Sequence, residues 1–323
     1  MTLTFFRQQP RTLGHVRNRP ADGPYPVALE TLFPRALSTE AIAEIRSWPG
    51  YAPTPLRVLD QLAGVLGVGE VLYKDESARF GLNSFRPLSD GYATMRLVAD
   101  RLGLSVAATR GVYPRAQLQN QKVAAAGGAD AGRAVAWAAQ QLGCQCRIYL
   151  ETPVPEADAN AVRALGAEVV RVDGEGVTAG ARCARDADEH GWVKVPNVAL
   201  APREPASLYK LAGAATVAAV AREQAAGPIT HVFVPASCGD MAAAVAARLW
   251  MDMGAGRADV TVVEPENAAY LLRSVRRSRG SPVAALQKAM MHEAANGNMP
   301  AVAWETLRRA AAHFVTIGEN TVP

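Results

Sequence analysis

Arg86, Asp130, Cys238 and Asp240 carry the side chains that could supply acid–base or nucleophilic groups to a reaction. A carboxylate can accept a proton, and a thiol becomes a nucleophile once it is ionised, whereas a guanidinium keeps its proton. Their spacing matches no specific reaction, so the residue types alone leave the chemistry open. The most informative of the four is Arg86, which lies in the segment YKDESARFGLNSFRPLSDGYA at residues 73–93.

The cysteines and histidines are not spaced like a metal site. Cys144 and Cys146 are separated by one residue, and no second Cys or His pair has the spacing of a zinc site. The Cys144–Cys146 pair also opens a predicted buried strand, which favours buried thiols over zinc ligands. Four cysteines in a chain of 323 residues do not indicate a disulfide framework either.

Residues 73–93 resemble the cofactor-lysine segment of the diaminopropionate ammonia-lyases, which are fold-type II pyridoxal phosphate (PLP) enzymes similar to the tryptophan synthase β subunit. The motif of that family runs YKDES-x-RFGLN-x-F-K-x-L-G-G-x-YA, and its lysine after Phe forms the Schiff base with PLP. In this sequence Arg86 stands at the lysine position. A guanidinium, with a pKa above about 12, cannot lose its proton to attack an aldehyde. The resemblance extends from about residue 51 to residue 317 and implies the family fold.

A second stretch resembles the family signature T-D-G-N-H-G-R-x-VAWAA. When the sequence is aligned on its GRAVAWAA, Gly128 stands at the position of a catalytic Asp, and Asp130 stands at the Asn that binds the ring oxygen of PLP. A carboxylate beside that phenolate oxygen would be repelled. An alternative interpretation is that Asp130 is the N-cap of the helix that follows it.

The remaining family positions are also changed. Asn197 stands at the second catalytic Asp, and an amide cannot act as a general base. The glycine-rich phosphate cradle of the family corresponds to Ser237, Cys238, Gly239 and Asp240, of which Gly239 alone matches. We expect Asp240 to satisfy the N–H groups at the start of its helix, where the phosphate would otherwise bind.

Three other lysines could replace the missing amine. Lys74 belongs to the KDE part of the motif, which predicts that it pairs with a carboxylate. Lys122 lies in a segment of uncertain structure, and Lys210 lies in a predicted helix. Neither of these two lysines has a positional argument for taking over the reaction.

Alternating helical and strand patterns predict an α/β protein with parallel sheets covered on both faces. Residues 1–50 read as an extended arm that leads into one helix at residues 39–47, with Thr39 as its N-cap. Residues 105–128 read as a mobile loop that contains at most the strand 122–126. The other predicted helices are 57–66, 88–102, 133–142, 156–165, 177–190, 206–223 and 241–251, and the other predicted strands are 71–74, 146–151, 167–172, 230–236 and 259–264.

The length, together with the resemblance, predicts a fold-type II PLP-enzyme-like architecture of two domains, each with a mostly parallel sheet flanked by helices. Residues 1–88 and 200–323 would form the larger domain, and residues 89–199 the smaller one. A hydrophobic content of 49% argues against extensive disorder. No apolar run approaches the ~20 residues of a membrane span, and the basic residues lack the interleaved aromatics of a nucleic-acid site. We therefore expect a cytoplasmic protein with neither membrane nor nucleic-acid partners.

The pattern as a whole predicts a catalytically degenerate relative of diaminopropionate ammonia-lyase, in which Arg86 pairs with Asp130 or Asp240. No cofactor is expected, although PLP would be present if the family function persists. The chain would serve as a binding or partner subunit, or run a different reaction, and could bind a small anionic or amino-acid ligand. We expect it to form a homodimer, or a heterodimer with an intact paralogue. One alternative is an active PLP-dependent ammonia-lyase that works through another lysine. A second alternative is a cofactor-free enzyme that uses the altered site.

Overall fold

Strands and helices alternate along the chain, as the sequence predicts. The structure, a computed structural model, describes residues 12–111, 115–173, 177–197, 204–236, 238–277 and 299–318. Its strands are β1 (Thr12–Arg17), β2 (Leu56–Val58), β3 (Leu72–Lys74), β4 (Lys122–Ala126), β5 (Gln145–Glu151), β6 (Glu168–Val172), β7 (Val193–Val195), β8 (His231–Pro235), β9 (Asp259–Pro265) and β10 (Ala311–Ile317). Its helices are α1 (Val27–Leu32), α2 (Arg35–Arg46), α3 (Asp60–Leu66), α4 (Tyr92–Leu102), α5 (Val106–Thr109), α6 (Arg115–Gln119), α7 (Ala129–Leu142), α8 (Glu156–Arg163), α9 (Ala179–His190), α10 (Pro205–Gln224), α11 (Asp240–Met253), α12 (Tyr270–Arg276) and α13 (Ala301–Ala310).

The chain divides into two units. Unit 1 takes its described residues from Met1–Leu32 and Ile229–Pro323, and unit 2 takes them from Phe33–Ala199 and Arg203–Pro228. These boundaries do not coincide with the predicted domain boundaries at residues 88 and 199. In unit 2, α2 and the turn before α4 both pack on α10, which brings residues 33–88 into this unit. The predicted division into domains stays a prediction.

Unit 2 contains a four-stranded sheet of order β6-β5-β4-β7 in which every pair is parallel. Successive residues of β5 point to opposite faces of this sheet. On one face Ile148 packs against Gly132 of α7, and on the other Tyr149 packs against Cys183 of α9. Helices therefore cover both faces, which explains the short apolar strands and confirms the predicted α/β class.

Unit 1 contains a second sheet of order β1-β10-β9-β8. The pairs β10–β9 and β9–β8 are parallel, and β1 adds an antiparallel edge strand to β10. The first strand was not predicted, because we read residues 1–50 as an arm with one helix. A strand that pairs with residues about 300 positions later leaves no local signal, since its partner is chosen by tertiary contact.

Several other boundaries differ from the prediction. Helix α2 begins at Arg35 after Pro34, so Thr39 lies inside the helix and is not its N-cap. The predicted helix 57–66 is divided into the strand β2 and the helix α3. The segment 105–128 contains α5, α6 and β4 among its described residues, so its interpretation as a mobile loop was wrong. Its strand at residues 122–126 is confirmed.

The helix predicted at residues 88–102 is present, but it begins with a π-helical turn at Pro87–Gly91. Helix α10 lies very close to this turn. A Cβ atom placed on Gly213 of α10 would be 1.8 Å from the carbonyl oxygen of Leu88. Glycine is therefore required at residue 213, because no larger side chain fits between the two backbones.

Replacing Gly213 by Ala should destabilise the protein by about 1–3 kcal/mol or more, because the added methyl group would force α10 away from the turn. Chemical denaturation of the purified variant measures this loss. Gly64→Ala is the matched control, since Gly64 lies inside α3 and a Cβ there would meet no atom within 4 Å. The control should be neutral or slightly stabilising. If the two variants were equally stable, the close contact between α10 and the turn would not require glycine at residue 213.

Candidate functional site

Arg86 immediately precedes the π-helical turn and is buried, with 8% of its surface exposed. Its Nη1 atom donates to Oδ2 of Asp90 at 2.8 Å, and Ser89 Oγ donates to the same oxygen at 3.2 Å. Because the turn is π-helical, it is wider than an α-helical turn, and such turns are frequent at functional sites. The partner of Arg86 in this contact is thus a carboxylate that the sequence analysis did not consider.

Asp90 is held between two cations. Its exposed surface is 1%, and its second oxygen, Oδ1, lies 2.7 Å from Nζ of Lys210 on α10. Burial by itself would raise the pKa of the Asp90 carboxyl, but the charges and hydrogen bonds of Lys210 and Arg86 outweigh it and lower this pKa to about 2. The carboxylate therefore stays ionised and cannot act as a general base near neutral pH.

Lys210 connects this turn to the end of β7. Lys210 is 3% exposed. Its ammonium group donates to the carbonyl oxygens of Pro196 at 2.6 Å and of Asn197 at 2.9 Å. The sequence analysis gave Lys210 no position near Arg86, and the structure corrects this. Two signals could have found the contact. Asp90 stands four residues after Arg86 at a motif position where the family has Gly, and Lys210 is a single charge in the apolar run LYKLAGAATVAAV.

Asn197 lies at the carboxyl end of β7, next to the carboxyl end of β4, with which β7 pairs. A Cβ on Gly127 would be 2.9 Å from Cγ of Asn197, so the amide packs directly on the Gly127 backbone. Gly127 has a φ of +154°, and Gly128 follows it as the N-cap residue of α7. The structure thus brings Gly128 and Asn197, two predicted site residues, to one edge of the sheet. Lys210 connects Asn197 to Asp90, which pairs with Arg86.

Asp130 does not join this group. It lies in the first turn of α7, its side chain is half exposed, and it pairs with Arg133 one turn later. The N-cap of α7 is Gly128, so the interpretation of Asp130 as a helix cap was wrong. Its pairing with Arg133 also removes Asp130 as the expected partner of Arg86, because a short side chain on the outer face of α7 finds its cation locally. The pairing of Arg86 with Asp240 stays a prediction.

In unit 1 the predicted phosphate position is the start of α11. Gly239 has a φ of +94°, and α11 begins at Asp240, which is 8% exposed. Cys238 Sγ donates to Oδ2 of Asp240 at 3.4 Å. Asp240 is the first residue of the helix, after the N-cap residue Gly239. Our expectation that its carboxylate satisfies the N–H groups at this helix start stays a prediction. Ser237 lies outside the described residues.

A second buried carboxylate in unit 1 lies at the carboxyl end of β9. Glu264 is 1% exposed and accepts hydrogen bonds from the backbone N–H of Leu271 at 2.8 Å and of Leu272 at 2.7 Å, in the first turn of α12. Burial raises the pKa of the Glu264 carboxyl to about 7, against the smaller opposite effect of these hydrogen bonds. The Glu264 side chain therefore holds the first turn of α12 to the end of β9.

Comparison with known proteins decides the family. Residues 47–322 match the model of the pyridoxal-phosphate dependent enzyme family. The diaminopropionate ammonia-lyase of Escherichia coli strain K12 is 32% identical over 276 residues, which cover 84% of this chain and 69% of that protein. The Salmonella typhimurium enzyme is 31% identical over 288 residues, 86% of this chain and 71% of that protein. The crystal structure of the E. coli enzyme in complex with D-serine superposes with a TM-score of 0.80 at 30% identity, covering 94% of this chain and 77% of that one.

The chain belongs to the diaminopropionate ammonia-lyase family. Its resemblance to these fold-type II PLP enzymes, inferred above from motifs, is confirmed.

The part of the ammonia-lyase motif that this chain retains is structural in unit 2. Arg79, of the RFGLN stretch, is 2% exposed and donates to Glu76 Oε2 at 2.8 Å and to the carbonyl oxygen of Ala52 at 2.8 Å. Glu76 in turn accepts from Thr54 Oγ1 at 2.5 Å. These contacts fix the loop before β2 to the turn after β3, which explains why the motif keeps charged residues at buried positions.

The two other lysines considered above lie away from the group around Asp90. Lys74 Nζ donates to the carbonyl oxygen of Thr54 at 2.6 Å and to Oε1 of Gln224 at 2.7 Å, so its hydrogen-bond partners are neutral, contrary to the expected carboxylate. Burial lowers the pKa of Lys74 to about 8. Lys122 begins β4 at the opposite, amino end of the sheet, where it lies 3.3 Å from Glu168 and over the ring of Trp192.

Among the described residues, no group of three or more His, Cys, Asp or Glu side chains could hold a metal ion. Cys146 and Cys183 are buried, and burial raises the pKa of the Cys146 thiol to about 12 and that of Cys183 to about 11. Both thiols therefore stay protonated and pack as apolar groups. In the same part of the chain, no helix is both long enough and apolar enough to cross a membrane.

The raised pKa of Glu264 predicts a pH-dependent stability. The folded carboxyl titrates near pH 7 and the unfolded one near 4.5, so the folded protein binds the extra proton between these values. The free energy of unfolding should fall by up to about 3 kcal/mol as the pH rises from 4.5 to 7, and then level off. Urea denaturation across this range measures the fall. Glu264→Gln should flatten it, and Glu266→Gln, at an exposed position two residues later, should not. A slope unchanged in Glu264→Gln would contradict this assignment.

Proposed function

We propose that this chain is a catalytically degenerate member of the diaminopropionate ammonia-lyase family that does not use PLP and acts as a binding or partner subunit. The observation that carries the proposal is the ion pair between Arg86 and Asp90. The motif comparison puts Arg86 at the Schiff-base position, and a buried guanidinium bonded to a buried carboxylate has no nucleophilic nitrogen to offer.

The residues of unit 2 do not fit a covalently bound PLP. Lys210 is the lysine that contacts the same carboxylate, and its ammonium lies within hydrogen-bonding distance of three oxygens, those of Asp90, Pro196 and Asn197. An amine attacks an aldehyde only through a free lone pair, whereas the nitrogen of Lys210 is already engaged with these three oxygens. Lys74 and Lys122 lie elsewhere in the unit, bonded to Thr54 and Glu168 respectively.

The acid–base positions support the same proposal. Gly128 has no side chain to transfer a proton, and the amide of Asn197 packs on the Gly127 backbone. Each general acid or base contributes roughly 10²–10⁴-fold to a rate, so the loss of two such groups would leave little of an ammonia-lyase reaction even if an amine were present.

The start of α11 in unit 1 is a poor site for a phosphate. Helix N-termini bind anions because their N–H groups and the helix dipole favour negative charge. Here the first residue of the helix is the buried Asp240, whose carboxylate already supplies that charge. A phosphate dianion placed there would be repelled by it. Asp240 therefore argues against a phosphate at the start of α11.

The proposal predicts a colourless protein. After incubation with PLP and borohydride reduction, we expect no visible aldimine absorbance and no PLP-modified lysine peptide from residues 73–93 or 204–224. The E. coli diaminopropionate ammonia-lyase, treated in the same way, is the positive control. A stoichiometric adduct on Lys74 or Lys210, identified by peptide mass spectrometry, would instead support an active enzyme that works through another lysine. Turnover by the protein without PLP would favour the cofactor-free alternative.

We also propose that the chain assembles as a homodimer, or as a heterodimer with an intact paralogue. Exposed apolar side chains on one part of unit 2 support an interface, since such groups are usually covered. They are at least half exposed and lie on β2, on α3, in the loop after α3 and on β3, at Val58, Val65, Leu66, Val68 and Tyr73. Light scattering at micromolar concentration should give twice the mass of 34.2 kDa. A monodisperse species of 34.2 kDa would exclude the homodimer and leave co-purification with a paralogue as the test of the heterodimer.

A further inference from the structure

We propose that Arg86, Asp90 and Lys210 form one coupled ion cluster, with Lys210 as the positioning residue that holds the π-helical turn and the end of β7 together. The identities of residues 86, 90 and 210 then depend on one another, and no one of them can change alone without loss of the fold around the site. This inference concerns packing and charge within unit 2 and does not rest on the proposed loss of PLP.

The geometry links three segments that are far apart in the sequence. Asp90 Oδ2 accepts from Arg86 at 2.8 Å, and Asp90 Oδ1 lies 2.7 Å from Lys210 Nζ. Lys210 directs its other two protons to the carbonyl oxygens of Pro196 and Asn197, at 2.6 and 2.9 Å. An ammonium has three donors, so every proton of Lys210 is used. Removing this side chain would leave two backbone carbonyls and one carboxylate oxygen without their donor.

The backbone around the cluster is shaped for this contact. Lys210 and Gly213 are three residues apart on α10 and so face the same side. Gly213 lets α10 approach the carbonyl oxygen of Leu88 so closely that no Cβ could fit, which brings Lys210 within reach of Asp90. Asp90 lies in the π-helical turn Pro87–Gly91, and its carboxylate reaches Lys210 on α10. One close contact between two backbones thus sets the distance between the ions.

The charges are buried deeply enough to require one another. The side chains of Asp90 and Lys210 are 2% and 4% exposed, and that of Arg86 is 10% exposed. Burying an ion is unfavourable by several kcal/mol unless a partner of opposite charge lies beside it. Among the described residues, Asp90 is the carboxylate within ion-pair distance of Lys210. Loss of the Asp90 charge would therefore leave a buried ammonium without its counter-ion.

The cluster has a consequence for any attempt to rebuild an amine at residue 86. In the family motif the residue at position 90 is Gly, and an aspartate there places a carboxylate next to the new amine. Arg86→Lys alone would exchange one cation for another beside Asp90, so the amine would stay protonated. Restoration of an amine nucleophile requires that residues 86, 90 and 210 be changed together.

A double-mutant cycle tests the coupling. Asp90→Asn should raise the unfolding equilibrium constant by at least about 100-fold, because it leaves the Lys210 ammonium buried and uncompensated. Adding Lys210→Met should recover at least about 10-fold of that loss, since the second substitution removes the orphaned charge. The matched control is Glu223→Gln, which breaks the surface pair of Arg46 and Glu223 in the same unit and should change the constant by about 5-fold or less.

The pH dependence separates an electrostatic cluster from simple packing. A buried ammonium without a counter-ion releases its proton more readily than an unfolded one, so the stability of Asp90→Asn should increase between about pH 7 and pH 10. Asp90→Asn/Lys210→Met should lack this increase.

Should Asp90→Asn fail to fold, recovery of soluble, folded protein by the added Lys210→Met supports the proposal. Additive effects of the two substitutions, no pH dependence in Asp90→Asn, or equal loss of folded protein in the single and double variants would overturn it.

Discussion

The buried carboxylate of Asp90 lies between two cations, and the arrangement of the predicted site residues in unit 2 depends on this contact. The Asp90 carboxylate pairs with the guanidinium of Arg86 and with the ammonium of Lys210 on α10. The same ammonium donates to the carbonyl oxygen of Asn197 after β7. Desolvation opposes each of these charges, and the mutual attraction offsets it. The turn, the helix and the strand end are therefore fixed relative to one another by charge as well as by apolar packing.

The contacts that stabilise the family fold are distinct from the predicted site positions. The packing of α7 on its sheet lies within the elements, and the network around Arg79 joins the loop before β2 to the turn after β3. The positions that we assign to chemistry lie at strand ends and in turns, where a side chain can change if its polar groups find new partners. The Asn197 side chain packs on Gly127, and Asp130 forms an ion pair with Arg133. Fold and site can thus diverge independently.

Unit 1 places negative groups at the carboxyl ends of its parallel strands. Asp240 begins the helix after β8, and Glu264 ends β9 and holds the first turn of α12. In open α/β sheets this edge commonly binds ligands, and anions favour the helix starts there. At the start of α12 the carboxyl of Glu264 accepts the N–H groups of Leu271 and Leu272, which an anion could otherwise bind.

The sequence by itself determined the α/β class, most helices and strands, and the family, because apolar periodicity and dense motifs are local properties of the chain. It also singled out Arg86, because the motif comparison aligns this residue with the expected lysine position. Only the tertiary structure decided which residues Arg86 and Asp90 contact. Asp90 lies in a turn, and Lys210 lies 120 positions further along the chain. The sequence does not record the close approach of α10 at Gly213, which brings Lys210 to Asp90 beside Arg86. Strand β1 was missed for the same physical reason, because its pairing with β10 is set by contacts that sequence spacing does not record.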